Sequence, residues 1–305
     1  RAAASFQEGA GFMNRARRYE NMGLVYLVPW MIGFLVFQFF PLFYSLFLSF
    51  HKYPLLGEPT FLGIGNYVRM LTSDPNFMQS VRVTFLYVLM AVPTKVLFAL
   101  IVALLSNMSV RGVSAFRVLF YLPTIFGSSV AIAILWRSMF MHRGLVNNVL
   151  QGIGFSAQPW LTSTTLALPV VVSLQVWQFG SSMVIFLAGL KQIPKDYYDS
   201  ARIDGASPWQ MLLRVTLPLL TPMIFFNVVM QTILAFQDFT APFIVTGRGG
   251  PLKSTYVLGI HIYNHAFSYF NMGYGSALSW VLFLIIMLFT ALLFRSSRRW
   301  VHYEN

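Results

Sequence analysis

The sequence predicts an all-α, polytopic membrane protein with six transmembrane helices and one substantial cytoplasmic loop. Three observations carry that prediction. The 305 residues are 57% hydrophobic and only 10% charged, with a mean hydropathy of +0.65, whereas soluble chains carry about 25% charged residues. The apolar residues fall in runs long enough to cross a bilayer, which needs about 20 of them. The basic residues gather at the ends of those runs, so the net charge of +12 is a topology signal and not a nucleic-acid surface. There is no cysteine, which removes disulfides and thiolate metal sites.

The domain expected is 22–295, flanked by a cytoplasmic N-terminal segment 1–21 and a cytoplasmic tail 296–305. The first apolar run, 22–50, is too long for the core of a signal peptide, and Pro41 should kink it or end its regular part. The second is 81–108. The third, 116–139, has Pro123 in its first turns, and the fourth is 166–190. The fifth, 216–239, opens TLPLLTP, with Pro218 and Pro222 near the helix start, where proline is tolerated. The sixth is 276–295. Arg15, Arg17, Arg18, Arg117, Lys191, Lys195, Arg202, Arg214 and Arg298 all fall on the side of the termini. The side richer in Lys and Arg is cytoplasmic. Both termini and the loop 191–215 are therefore inside, and 51–80, 140–165 and 240–275 cap the outer face.

The loop reads KQIPKDYYDSARIDGASPWQMLLRVTLP. Asp199 to Ile203 can form a short helix with Asp196 as its N-cap. Gly205 breaks or sharply turns it. Ser207 can cap a second helix, with Pro208 at its first position. By spacing alone this is either a docking surface for a soluble partner or an amphipathic connector at the headgroup level.

The stretch resembles the EAA loop of permease subunits in binding-protein-dependent ATP-binding-cassette importers. That pattern is Glu-Ala-Ala, three residues, Gly, nine residues, Ile, one residue, Leu-Pro. Here Asp199-Ser200-Ala201 is followed by Gly205, Val215, Leu217 and Pro218. The core Asp204-Gly205-Ala206 is similar to the sugar-importing, maltose-transporter-like branch. So are FLGIGNYVRMLTSDPNF, GLVNNVLQGIG with QPWL, and FQDFTAPFIVTGRGGP. The resemblance implies that Asp199, Ser200, Ala201, Arg202, Asp204, Gly205 and Ala206 couple this chain to an ATPase. It also implies a second permease subunit, two ATPase subunits holding ATP and Mg, and an external solute-binding protein, in a bacterial inner membrane. This chain itself would bind no cofactor or metal and would not be an enzyme. The cargo implied is a sugar, in particular an oligosaccharide.

Sugars are held by amides, carboxylates and aromatic faces, because hydroxyls both donate and accept. Asn227, Gln231 and Asp238 follow at +4 and +7 in the fifth run, and Gln175, Gln178 and Ser182 at +3 and +4 in the fourth, with Trp177 beside them. Each set falls on one helix face near mid-membrane, so the two can line one substrate pathway. Alternatively, they only bond neighbouring helices. Lys95, mid-span in the second run, is either a pathway contact or a lysine held against carbonyls.

Two other stretches are weaker. Gly247-Arg248-Gly249-Gly250-Pro251-Leu252-Lys253-Ser254 approaches a phosphate-binding loop, but Leu252 stands where a glycine belongs. His261 and His265 are four apart, but the sequence offers no third ligand beside them. An ion-coupled secondary transporter would need carboxylates within the spans, and none of the nine acidic residues lies mid-run.

Overall fold

The computed structural model describes residues 26–54, 57–108, 112–127 and 129–302. The expected N-terminal segment 1–21 lies outside them. Helix α1 (Tyr26–Ser49) packs against the last helix, α13 (Met272–Ser297), and turns most of its surface outward. A short hairpin of β1 (His51–Lys52) and β2 (Thr60–Phe61) follows, then the short helix α2 (Gly65–Thr72). The central helix α3 (Phe77–Ser106) packs on α7, α8 and α10. Next come α4 (Val113–Ile125), α5 (Val130–Met139) and the short α6 (Leu145–Gly152). Helices α7 (Ala167–Trp177) and α8 (Gly180–Gln192) lead to α9 (Lys195–Ile203), and α10 runs from Pro208 to Gln237. The short helices α11 (Thr240–Val245) and α12 (Leu258–Tyr263), the latter extended by a π turn at Asn264–Ser268, precede α13.

Among the described residues, four helices are long and apolar enough to cross a membrane unbroken: α1, α3, α10 and α13. The count reaches six when the bent pairs α4–α5 and α7–α8 are each one span. The six apolar runs are therefore present, but two of them are not straight. The third run bends by 104° beyond Pro123, where Gly127 takes φ +55°. The fourth bends by 46° at Gln178, whose ψ of 37° is not helical. The fifth departs from expectation in the opposite way. The second loop helix and the span are one continuous helix from Pro208.

Two prolines are absorbed by the same device. The π turn Leu35–Phe39 ends two residues before Pro41, and the π turn Leu212–Thr216 ends two residues before Pro218. A proline ring clashes with the carbonyl four residues back. Widening the turn, with Phe40 N–H bonding Leu35 O and Leu217 N–H bonding Leu212 O, moves that carbonyl aside without ending the helix. Hence Pro41 bends no helix sharply, and Pro218 does not start one.

The inner half of the core joins α3, α8 and α10 through Ala99, Met183, Phe186 and Leu220. Gly180, the first residue of α8, lets that helix touch α4. A Cβ there would lie 2.6 Å from Thr124 Oγ1 and 2.7 Å from Phe120 O. Gly180→Val should thus lower stability by about 1–3 kcal/mol through overpacking, seen as a reduced melting temperature in detergent. Gly152→Ala, which meets nothing within 4 Å, should have a far smaller effect.

Candidate functional site

Two places carry the residues singled out in the sequence. The first is the loop. Helix α9 begins after Pro194 and has no buried residue. Asp196 lies within its first turn and does not cap it, because the helix starts earlier than Asp199. At its end Gly205 sits at φ +77°. Gly205 N–H bonds Arg202 O at 3.0 Å and Ala206 N–H bonds Ala201 O at 2.9 Å. This pair of bonds is a Schellman cap, which needs a left-handed residue. Ser207 then caps α10 reciprocally with Gln210, and Pro208 is the first helical residue. Arg202 and Asp199 form an exposed ion pair at 3.0 Å. Ile203 is 87% exposed and Trp209 67% exposed, so the elbow presents apolar side chains outward.

The second place is a cavity of about 370 Å³ where the helix breaks converge. Lys95, Gln175, Gln178, Gln231 and Asp238 all line it, so α3, α7 and α10 do bring the expected residues together. The breaks explain the position. A bent helix exposes backbone groups that have no water to pair with, so irregular backbone at membrane depth is tolerated around a cavity or inside protein. Gln178, at the α7–α8 break, donates from Nε2 to Gly127 O at the α4–α5 break, 2.8 Å away. Each discontinuity thereby helps satisfy the other.

Asp238 follows the last residue of α10 on extended backbone, ψ 123°. It is 9% exposed, so it stands in the cavity wall and not on a solvated rim. Its Oδ2 accepts from Tyr87 Oη and from Gln175 Nε2, the latter at 2.7 Å, and its Oδ1 accepts from Ala241 N–H at the start of α11. An acidic group does therefore lie within the bundle, facing the same cavity as Lys95.

Other expectations need correcting. Asn227 is fully buried, and its Nδ2 bonds Met223 O of its own helix at 3.1 Å; it does not line the cavity. Ser182 is behind the wall, accepting from Gln231 Nε2 at 3.1 Å, and Ser181 lines the cavity in its place. Trp177 packs on Trp136, with ring centroids 5.5 Å apart, and the aromatic ring at the cavity is Phe239. Sequence reasoning missed Tyr87, Thr124, Gln237 and Thr240. Tyr87 was detectable, lying two turns before Lys95 on the same helix. The others depend on helix breaks that periodicity does not mark.

The turn 247–254 is no phosphate loop. Its only regular element is a single 3₁₀ turn, Pro251–Lys253, with Leu252 and Lys253 at positive φ. The objection to His261 and His265 fails, because Asp74 supplies a third group: the three ligand atoms lie within 4.8 Å of one another. Burial holds both imidazoles below the ordinary histidine value, His265 at about 4 with His261 adding to the effect.

Broken helices and ionisable side chains gathered around a cavity at membrane depth are a pattern that solute-conducting membrane proteins use. The family described as "binding-protein-dependent transport system inner membrane component" matches residues 73–302. The chain is 46% identical over 302 residues to the probable ABC transporter permease protein YesP of Bacillus subtilis (strain 168), covering 97% of this chain and 98% of that one. It is 34% identical over 291 residues to the lactose transport system permease protein LacF of Rhizobium radiobacter, covering 92% and 96%. A solved bacterial ABC transporter involved in the import of the acidic polysaccharide alginate shares the fold, with a TM-score of 0.77 at 23% identity over 93% of this chain and 98% of that one. The chain belongs to the binding-protein-dependent permease family: it is an inner-membrane subunit of an ABC transporter. Such subunits are not enzymes, and ATP hydrolysis is done by the partner ATPase.

Hydrogen bonds to a charged group contribute about 1.5–3 kcal/mol. A double-mutant cycle of Tyr87→Phe and Asp238→Ala should therefore show a coupling of that order in detergent unfolding experiments. Strictly additive effects would mean that the two side chains do not meet.

Proposed function

We propose that this chain forms half of the translocation pore of an ATP-driven importer of sugars, oligosaccharides among them. The observation that carries the reading is the cavity. Its volume falls within the range of about 300–1,000 Å³ typical of small-molecule sites. Its wall combines four glutamines, Gln175, Gln178, Gln231 and Gln237, with one carboxylate, one ammonium and the ring of Phe239. Amides that donate and accept side by side suit polyhydroxylated solutes. The reading agrees with the lactose and alginate named for the relatives above.

In this reading a second related permease completes the pore, and an external solute-binding protein delivers the sugar to the outer caps. Two ATPase subunits, carrying ATP and Mg, sit below. Both termini and the loop 191–215 are cytoplasmic. The loop is where the ATPases push: Asp199, Arg202 and Asp204 offer ionic contacts, Ile203 and Trp209 apolar ones, and Ser200, Ala201, Gly205 and Ala206 keep the elbow slim. ATP binding shifts the population between inward- and outward-open pores.

Two sets of variants separate the cavity from the loop. Gln231→Ala and Gln237→Ala should each weaken uptake about threefold to tenfold, the loss of one hydrogen bond of about 0.5–1.5 kcal/mol, with assembly intact. Gln178 is avoided because its bond to Gly127 O joins the two helix breaks, whereas the bond from Gln231 to Ser182 Oγ joins two unbroken helical stretches. Gly205→Val forces a β-branched residue into the left-handed region at a cost of about 1–3 kcal/mol. It should leave the subunit in the membrane and uncouple ATP hydrolysis from uptake. Normal transport of every tested sugar by both glutamine variants would remove the cavity from the pathway. Normal uptake by Gly205→Val at normal subunit levels would remove the loop from coupling.

A further inference from the structure

On the outer cap, away from the cavity, we propose that Asp74, His261 and His265 form a binding site for a divalent transition metal of the zinc class. Asp74 lies in the turn between α2 and α3, and the histidines lie four apart on α12 and its π-turn extension. His261 Nε2 stands 2.9 Å from Asp74 Oδ2 and His265 Nε2 3.7 Å from the same oxygen. Ligand atoms bound tetrahedrally at about 2.0–2.1 Å from zinc are about 3.3–3.4 Å apart. The two distances to Asp74 straddle that spacing and all three ligand atoms lie within 4.8 Å of one another, so rotation of the His265 side chain toward His261 would close the site. The three side chains are 6%, 0% and 11% exposed in chain order, dry enough to hold an ion and open enough at His265 to admit one.

The surroundings of Asp74 and His261 are those of supported ligands. Imidazole ligands are oriented by a hydrogen bond on their other nitrogen, and ligating carboxylates are themselves hydrogen-bonded. His261 Nδ1 meets Tyr256 Oη at 3.1 Å, and Asn264 Nδ2 donates to that same oxygen at 3.0 Å. Asp74 Oδ1 accepts from Asn76 N–H at 2.9 Å, and Oδ2 accepts from Tyr274 Oη at 2.6 Å. Without metal, Tyr256 donates to His261 Nδ1 and His261 Nε2–H donates to Asp74. With metal bound, His261 takes the other tautomer. Its Nδ1–H donates to Tyr256 and its Nε2 lone pair faces the ion, with no net change of protons. Water completes the coordination, and Tyr274 stays a hydrogen-bond donor to Asp74 Oδ2.

His265 is the group that packing alone does not explain. Its Nδ1 is buried with no hydrogen-bond partner among the described residues, an arrangement that costs stability. A metal at Nε2 gives this imidazole a role. The Arg69 guanidinium, 4.6 Å from the centre of the Tyr274 ring, opposes a second cation. The Asp74 carboxylate offsets it, and the mixed imidazole–carboxylate set selects zinc-class ions over Mg²⁺ or Ca²⁺. The ion would join the turn before α3 to α12, with α13 tied in through Tyr274.

The test uses the assembled transporter, purified without a polyhistidine tag, stripped with EDTA and dialysed against Zn²⁺ or Co²⁺. Metal analysis should find one tightly held zinc per copy of this chain, and bound Co²⁺ should show the intense visible absorption of tetrahedral N/O coordination. His265→Gln gives up no hydrogen bond seen here and should fold normally, but lose at least about tenfold in Zn²⁺ affinity. Tyr256→Phe, one step removed from the ion, should lose about tenfold. No tightly bound zinc in the unmodified complex would overturn the proposal. So would zinc bound equally by the unmodified complex and by His265→Gln, since the ion would then sit elsewhere.

Discussion

A carboxylate inside a lipid-spanning bundle stays there only if donors surround it, because an unpaired buried charge is prohibitively costly. Asp238 meets that demand with three donors from three directions: Tyr87 on α3, Gln175 on α7 and the Ala241 backbone on α11. Those bonds hold the end of α10 against the central helix and the outer cap at one point. The cavity exists because that point is fixed: α10 must stop at Gln237 for Asp238 to reach its donors, and the space beside the stopped helix is lined by Lys95, Gln231 and Gln237.

The two bent spans serve the same end. A straight α7–α8 or α4–α5 would fill the bundle with side chains at helical spacing and leave no room. Bending at Gln178 and at Gly127 opens the interior, and the bond between these residues covers part of the polar backbone that the bends expose. The pocket is thus polar by construction. Its walls are helix ends and the amides that satisfy them.

Much of this was legible in the chain. The apolar runs, the Gly205 elbow, the Ser207 cap and the grouping of five of the seven expected residues around one cavity came from composition, turn chemistry and spacing. Asn227 and Ser182 fell out because one face of a helix is wide, and periodicity cannot tell the half facing a cavity from the half facing a neighbour. Asp238 reached the cavity by another route than the helix face assigned to it, since α10 ends one residue earlier. The breaks at Gln178 and Gly127 gave no signal because hydropathy averages over them. The Asp74 cluster was invisible for a different reason: Asp74 and His261 are 187 residues apart, and only the folded cap brings them together.

The continuity of α10 gives the account its mechanical form. Thirty residues from Pro208 to Gln237 make a rod of about 45 Å, with the Ser207 cap at one end and the cavity wall at the other. In the coupling proposed above, a displacement at the elbow is felt at Gln231 and Asp238 without passing through a hinge. The absence of cysteine from the sequence makes it directly measurable whether the cavity lies on the solute's path. Ser181→Cys places one thiol in the cavity wall. In the assembled transporter that thiol should react with a small maleimide at a rate that changes between the ATP-bound and ATP-free states, and the transported sugar should protect it in the state that holds sugar. A thiol that reacts at the same rate in every state, with or without sugar, would contradict the account.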